Sequence, residues 1–326
     1  MKAIVRTRYG PPDVLQFKEI ETPAPADNEV LIRLYAASAN PLDLFQMRGA
    51  PVIRLIPGLR TPKRQVLGCD IAGQIEATGR HVKHFKAGDE VFGVTGFAGG
   101  GFAERVCAPE DKLALKPANS SFEDAAAVPI AAITALQGLR DRGRIQAGHK
   151  VLIDGASGGV GTFAVQIAKS FGAEVTAVCS ATKMDTARSI GADHIIDYTR
   201  EDFTKSGKHY DLILGANVHH SIFDYRNALS RNGIYVVVGG ALAHIFQAML
   251  FAPLLSLIGN KRAFFFIANM NQKDLVFLKE LLEARKIVPV IDRRYPLRQA
   301  AEALRYLEQG HARGKVVLTV EPGNGT

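Results

Sequence analysis

The residues with the most definite chemical use in this chain are glycines. The run Val151-Leu-Ile-Asp-Gly-Ala-Ser-Gly-Gly-Val-Gly161 passes from an apolar strand into a glycine-rich turn, and Thr162 to Lys169 continues it with helical character. Gly155, Gly158 and Gly161 fall at a GxxGxxG spacing, with Gly159 and Val160 between the last two. Such glycines let the turn tighten and let backbone amides approach a pyrophosphate, while the positive end of the helix dipole faces the same anion. A glycine repeat by itself says little, but one set between a strand and a helix points to a dinucleotide.

The second strand of such a unit reports on which dinucleotide. An NAD site places an acid about 20 residues past the glycines, where it binds the ribose 2′-hydroxyl. Here the region reads Val178-Cys-Ser-Ala-Thr-Lys183, and no carboxylate occurs before Asp185. Ser180 and Thr182 can donate hydrogen bonds, and Lys183 can meet a 2′-phosphate, which favours NADPH over NADH. Gly239-Gly240, after an apolar run ending at Val238, suits either a close backbone approach to the nicotinamide half or a plain strand-end turn.

These residues need a scaffold, and the rest of the sequence describes one. A chain of 326 residues exceeds what one hydrophobic core usually serves, so two domains are expected. The first third reads as short strands, Lys2 to Arg6, Val30 to Ala36, Ile71 to Ala77 and Phe102 to Ala108, separated by glycine and proline turns. That pattern suggests a small irregular barrel. Ser121, followed by Glu123 and Asp124, has the form of a helix N-cap. Beyond it strands alternate with helices such as Gly161 to Phe171 and Thr182 to Ile190. The strands are Val151 to Asp154, Val175 to Cys179, His194 to Ile196, Leu212 to Leu214, Ile234 to Val238 and Ala263 to Ile267, the six that a complete doubly wound dinucleotide fold requires. Lys273 to Arg285 and Leu297 to Gln309 read as helical, and Lys315 to Val320 as a strand.

Composition narrows the partners. The net charge of +8 is scattered rather than gathered into a stripe with aromatics, which argues for a solvated surface and against nucleic acid. Cys69, Cys107 and Cys179 are far apart with no CxxC pair, against both a disulfide framework and a structural zinc. The opening MKAIVRTRYG has no apolar signal region, so a cytoplasmic location is the expectation. Ala241 to Ile258 is apolar but interrupted by His244, Gln247, Pro253 and Ser256. It reads as a buried helix or a subunit contact rather than a membrane span, which takes about 20 predominantly apolar residues.

Together these features resemble the zinc-independent, quinone oxidoreductase-like branch of the medium-chain dehydrogenase/reductases, over nearly the whole length. The resemblance rests on Ala37-Ser-Ala-Asn-Pro-Leu-Asp43, Leu67-Gly-Cys-Asp-Ile-Ala-Gly73, Gly88-Asp-Glu-Val-Phe-Gly93, Pro129-Ile-Ala-Ala-Ile-Thr-Ala-Leu136, the glycine turn, Gly191-Ala-Asp-His-Ile-Ile-Asp-Tyr198 and Gly314-Lys-Val-Val-Leu318. It implies an α/β chain with a discontinuous GroES-like β-barrel catalytic domain, residues 1–121 and 270–326, and a doubly wound Rossmann domain, residues 122–269. It implies a site in the cleft between them. Asn40 and Thr134 match positions that line the nicotinamide. Ser180, Lys183 and Tyr198 match positions around the 2′-phosphate, and Lys315 lies in a terminal motif that often approaches the cofactor. Zinc-dependent relatives carry a Cys near Asn40, a His where Cys69 or Asp70 stands, and a four-cysteine lobe. None of these is present, and catalytic zinc takes three protein ligands, so no metal is expected.

The implied reaction is hydride transfer from NADPH to a quinone or an α,β-unsaturated carbonyl. Asn40 is the expected donor to the cofactor amide or the acceptor oxygen, unless it is only a turn residue before Pro41, and Asp43 is a weaker catalytic candidate. No general acid stands out, and water is the expected proton source. The competing reading is an NADPH-binding redox sensor or structural protein with little catalysis. The loops Phe45 to Arg64 and Ala241 to Asn260 are expected to shape the pocket, and the apolar second one to support a homodimer.

Overall fold

The structure, a computed structural model, describes residues 1–49, 61–62, 65–96, 99–240, 242–255 and 259–321. In chain order the described elements begin with β1 (Lys2–Val5), β2 (Gln16–Glu19), β3 (Glu29–Ala39), α1 (Pro41–Arg48), β4 (Asp70–Thr78), β5 (Glu90–Val94), β6 (Arg105–Pro109), β7 (Leu113–Leu115) and α2 (Phe122–Ala126). They continue with α3 (Pro129–Gln137), β8 (Lys150–Asp154), α4 (Gly159–Ser170), β9 (Glu174–Cys179), α5 (Met184–Ser189), β10 (His194–Asp197), β11 (Tyr210–Gly215), α6 (Ile222–Asn227), β12 (Leu229–Val237), α7 (Leu242–Leu255) and β13 (Arg262–Phe265). They close with α8 (Gln272–Glu283), β14 (Ile291–Pro296), α9 (Ala300–Glu308) and β15 (Lys315–Thr319). These elements form two compact units, Met1–Ile130 with Met270–Glu283 and Ile291–Thr326, and Ala131–Asn269 with Ala284–Val290.

The division follows local packing. It falls after Ile130 rather than at Ser121, because α2 packs on β3, β4, β5 and β15. Ser121 does cap that helix, its side chain accepting from the Asp124 N–H. Residues 284–290 return to the second unit, where Gln166 on α4 donates to the Val288 carbonyl at 3.0 Å and accepts from its N–H at 2.8 Å.

The first unit is built on a seven-stranded sheet in the order β14-β15-β3-β4-β5-β7, with β6 also on β3. Every pairing is antiparallel except β14 with β15. β3 organises it. Along one edge Val30 to Ser38 pair with β4, while the other edge is shared by β6, opposite Glu29 to Arg33, and β15, opposite Ala36 to Ala39. Its burial alternates at Val30, Ile32 and Leu34, then becomes continuous from Ala36 to Ala39, so the strand enters fully enclosed surroundings as it nears Asn40. The expected strand at Phe102 begins only at Arg105, because Phe102 pairs its backbone elsewhere, donating to Leu67 and accepting from Ile4.

The second unit holds a six-stranded sheet ordered β10-β9-β8-β11-β12-β13, all parallel. Val151, Leu152 and Ile153 are all buried, the continuous apolar run expected of a strand covered on both faces. The strand order reverses between β8 and β11, the topological switch point where such sheets bind ligands.

Within 241–258, α7 is the helix expected there, so the pocket-shaping segment 241–260 is not a loop over most of its length. It buries Ala248 and Ala252 and exposes Phe246, Met249 and Leu250. No helix among the described residues is long and apolar enough to cross a membrane. Most of the loop expected at Phe45 to Arg64 lies outside the described residues. All three cysteines are free thiols.

Candidate active site

In the second unit, β8 ends at Asp154 and the chain turns at Gly155, whose φ of +79° is a left-handed conformation that suits glycine. Gly158 N-caps α4 with no side-chain acceptor over the helix end. The first-turn N–H groups, those of Gly159, Val160 and Gly161, therefore have no intrahelical carbonyl to donate to. Gly161 closes the turn. A Cβ there would lie 2.1 Å from the Gly155 carbonyl oxygen, so only glycine lets α4 start this close to the strand. The loop after β11 abuts the same turn, Ala216 N–H donating to the Asp154 carbonyl at 2.9 Å. A bare, twelve-residue helix opening at the switch point fits a pyrophosphate.

Register brings the neighbouring loops together. Cys179 on β9 pairs with Asp197 on β10, so Ser180 and Tyr198 emerge side by side from adjacent strand ends. Ser180 Oγ lies 3.4 Å from Thr182 Oγ1, and Lys183 is near enough to lower the Cys179 thiol, although burial raises it overall. The Tyr198 ring is half exposed, its centroid 6.2 Å from that of His219. Asp185, the first acid after the strand, is turned to Arg188 at 2.9 Å. Thr134 sits half-buried on α3, and Gly239 follows β12, its N–H on the Gly215 carbonyl at 3.2 Å.

Sequence reasoning passed over the carboxyl beneath this turn. Asp154 is buried and accepts a hydrogen bond from Tyr225, whose ring stacks on Tyr235 with centroids 4.4 Å apart. Burial pushes the Asp154 carboxyl up to about 7, against the hydrogen bonds from Tyr225 and from the Gly155 backbone.

The first unit carries a second cluster, made by three strand ends. Ser38 on β3 lies opposite Asp70, the first residue of β4, and Ala39 lies opposite Val316 of β15. One step further along that antiparallel pair, Asn40 meets Lys315. All four polar residues are buried, Asp70 at 0% and Lys315 at 3% exposure. Lys315 Nζ donates to Asn40 Oδ1 at 2.6 Å and to Asp70 Oδ2 at 3.3 Å. Asp70 also accepts from Ser38 Oγ at 2.8 Å, Asn40 Nδ2 at 2.9 Å and the Ile130 N–H at 2.9 Å. Asp43, on the first turn of α1, accepts from the Asn40 N–H at 2.8 Å and the Gly68 N–H at 3.1 Å. Burial first, then the nearby Asp70 charge, lifts the Asp43 carboxyl to about 7, against Lys315 and the two backbone donors.

This arrangement corrects the expected role of Asn40. An ammonium only donates, so the carboxamide oxygen must face Lys315. The two amide hydrogens then go to Asp70 and, at 3.3 Å, to the Ser38 carbonyl. Asn40 therefore has no spare N–H to offer a ligand. Asp43 is likewise engaged with the backbone at the start of α1, beneath the node. The residues do not fit a zinc ion. Asp70 is filled by four donors, one of them a cation, and burial holds the neighbouring Cys69 thiol well above its usual range. Among the described residues no group of three or more His, Cys, Asp or Glu side chains is placed to hold a metal.

A parallel sheet with a bare helix N-terminus at its switch point, carried in one chain with a sheet unit that buries a lysine–carboxylate node, defines a two-domain dinucleotide enzyme. Residues 26–118 match the alcohol dehydrogenase GroES-like domain, and residues 190–318 match the zinc-binding dehydrogenase family. The tomato 2-methylene-furan-3-one reductase is 34% identical, covering 98% of this chain and 79% of its own. The chloroplastic NADPH-dependent alkenal/one oxidoreductase of Arabidopsis thaliana is 33% identical, covering 98% and 79%. The solved quinone oxidoreductase of Coxiella burnetii superposes with a TM-score of 0.87 at 32% identity, covering 98% of this chain and 99% of its own. The chain belongs to the quinone oxidoreductase-like medium-chain dehydrogenase/reductases.

Proposed function

We propose that this protein is an NADPH-dependent reductase that passes a hydride to a quinone or an α,β-unsaturated carbonyl without zinc. What carries the cofactor choice is that Ser180 and Tyr198 follow paired residues at the ends of β9 and β10, with Lys183 three residues past Ser180 and the first acid turned onto Arg188. The acceptor class is supported by the relatives, whose names give enones and quinones as their substrates. When bound, the nicotinamide supplies the hydride. The chain's part is to hold it: the Gly155, Gly158, Gly159, Val160 and Gly161 turn takes the pyrophosphate. Ser180, Lys183 and Tyr198 take the 2′-phosphate, while Thr134, Gly239 and Asn40 serve the nicotinamide half.

NADPH consumption by the purified protein with a panel of small quinones and enones tests the reading. Turnover with identified reduced products supports it. Bound NADPH with no turnover across the panel would favour a sensor. The cofactor choice has its own test in Lys183→Glu. Loss of a hydrogen bond to a charged group costs about 1.5–3 kcal/mol, so NADPH should bind roughly tenfold to a hundredfold more weakly. NADH should be nearly unaffected. Equal losses for both would remove Lys183 from the phosphate site.

We further propose a homodimer through β13, the edge strand of the parallel sheet, and the exposed apolar residues of α7.

A further inference from the structure

Reduction of an unsaturated carbonyl leaves negative charge on its oxygen, and the proposed function names no group to meet it. The donors of the node can be counted. The Ser38 hydroxyl gives its single hydrogen to Asp70. Both amide hydrogens of Asn40 are engaged, by Asp70 and the Ser38 carbonyl. Asp70 accepts from Ser38, Asn40, Lys315 and the Ile130 N–H, and both oxygens of Asp43 face backbone donors, the Asn40 and Gly68 N–H groups. Among the described residues Lys315 has two partners for its three N–H bonds, Asn40 Oδ1 and Asp70 Oδ2, so this buried cation keeps a hydrogen to give.

We propose that Lys315 is the catalytic proton donor to the acceptor oxygen. The proposal rests on the reductase reading and adds the source of the proton. As the hydride and its electron pair add to the β-carbon of an enone, the C=C electrons shift to the carbonyl and its oxygen becomes negative. One N–H bond of Lys315 breaks, its hydrogen forms an O–H bond to that oxygen, and the enol product goes on to the ketone. The amine left behind has two hydrogens, and Asn40 and Asp70 are the two acceptors already in place for them. The side chain therefore keeps its position after giving up the proton, and it takes another from water. The burial of Lys315 at 3% exposure and Asp70 at 0% removes competing solvent, which strengthens an ammonium acting on a developing oxyanion.

The measurement is turnover of Lys315→Met and Lys315→Arg on two acceptors, a simple enone and a quinone, with NADPH affinity read separately by fluorescence titration. A reduced quinone is stable as its anion, whereas an enolate is not, so a missing proton donor should hurt the enone far more. Lys315→Met should lose about 10²–10⁴-fold in kcat on the enone, the usual contribution of a positioned acid, and less than about tenfold on the quinone. Its NADPH affinity should fall far less than its kcat on the enone. Lys315→Arg keeps a positive charge beside Asp70 but gives up a proton far less readily. It should show the same selective loss, and it decides the matter if the methionine variant does not fold. Equal losses on both acceptors, unchanged kcat, or weakened NADPH binding with normal kcat at saturation would each overturn the role of Lys315. An unaltered protein that binds NADPH and reduces neither acceptor would overturn the reductase reading itself.

Discussion

Gly161→Ala is expected to abolish useful NADPH binding while leaving the first unit intact. The added methyl would lie 2.1 Å from the Gly155 carbonyl oxygen, 2.7 Å from Ala156 Cα and 2.8 Å from the Ala156 carbonyl carbon. All three are backbone atoms, so no rotamer change relieves the clash, and the start of α4 must move away from the turn. Those amides are the ones proposed to hold the pyrophosphate. A loss of about 100-fold or more in affinity is expected, equivalent to roughly 3 kcal/mol. Overpacking should also cost the fold about 1–3 kcal/mol. Gly158→Ala is the control for stability, since its Cβ would meet only the Gly155 oxygen at an ordinary 3.6 Å. Fluorescence titration and urea unfolding of both variants decide it. A Gly161→Ala protein that binds NADPH normally would show that the close approach of helix and strand is not what shapes the site.

The second large effect is expected from Asp70→Ala. This substitution removes the counter-charge of Lys315 and, with it, the acceptor for Ser38 Oγ, Asn40 Nδ2 and the Ile130 N–H. Breaking a buried ion pair from one side costs about 3–5 kcal/mol, because the remaining charge stays buried and alone. The exposed Arg80–Asp27 pair, at 2.7 Å, has the shorter contact, yet Arg80→Ala should cost only about 0.2–1 kcal/mol, since solvent screens it. Denaturation midpoints followed by circular dichroism compare the two. If Asp70→Ala costs less than about 1 kcal/mol, the node is more hydrated than its burial indicates.

What could be read from the sequence was local. The strand, turn and helix around Gly155 to Gly161 occupy one continuous stretch, so spacing alone located them. Ser180 and Lys183 followed from position after the next strand. Tyr198 came only through resemblance, because its place beside Ser180 depends on the β9–β10 register. The Lys315–Asn40–Asp70 node could not be assembled from spacing, since Lys315 and Asn40 are 275 residues apart. A signal was available nonetheless: Asp70 and Lys315 each head an apolar strand, where a charge needs a partner. Besides β5, three other strands were missed, and these have physical reasons. β2 is exposed throughout and shows no alternation, β7 has three residues, and β14 carries Asp292, Arg293 and Arg294. Each is specified by its neighbour in the sheet rather than by its own pattern.

The place of β15 has a consequence for how the molecule comes into being. It lies between β14 and β3, and it brings Lys315 to a site otherwise made by residues from the first 130. A ribosome releases the chain from its N-terminal end. The Ala36 to Ala39 edge of β3 therefore stays uncovered while the whole parallel sheet is synthesised and free to fold. A message cut short before β15 would yield a protein with an intact nucleotide turn, an unpaired strand edge and no lysine beside Asp70. Such a product would lack the buried lysine, so in this topology the node around Asp70 is the last thing translation completes.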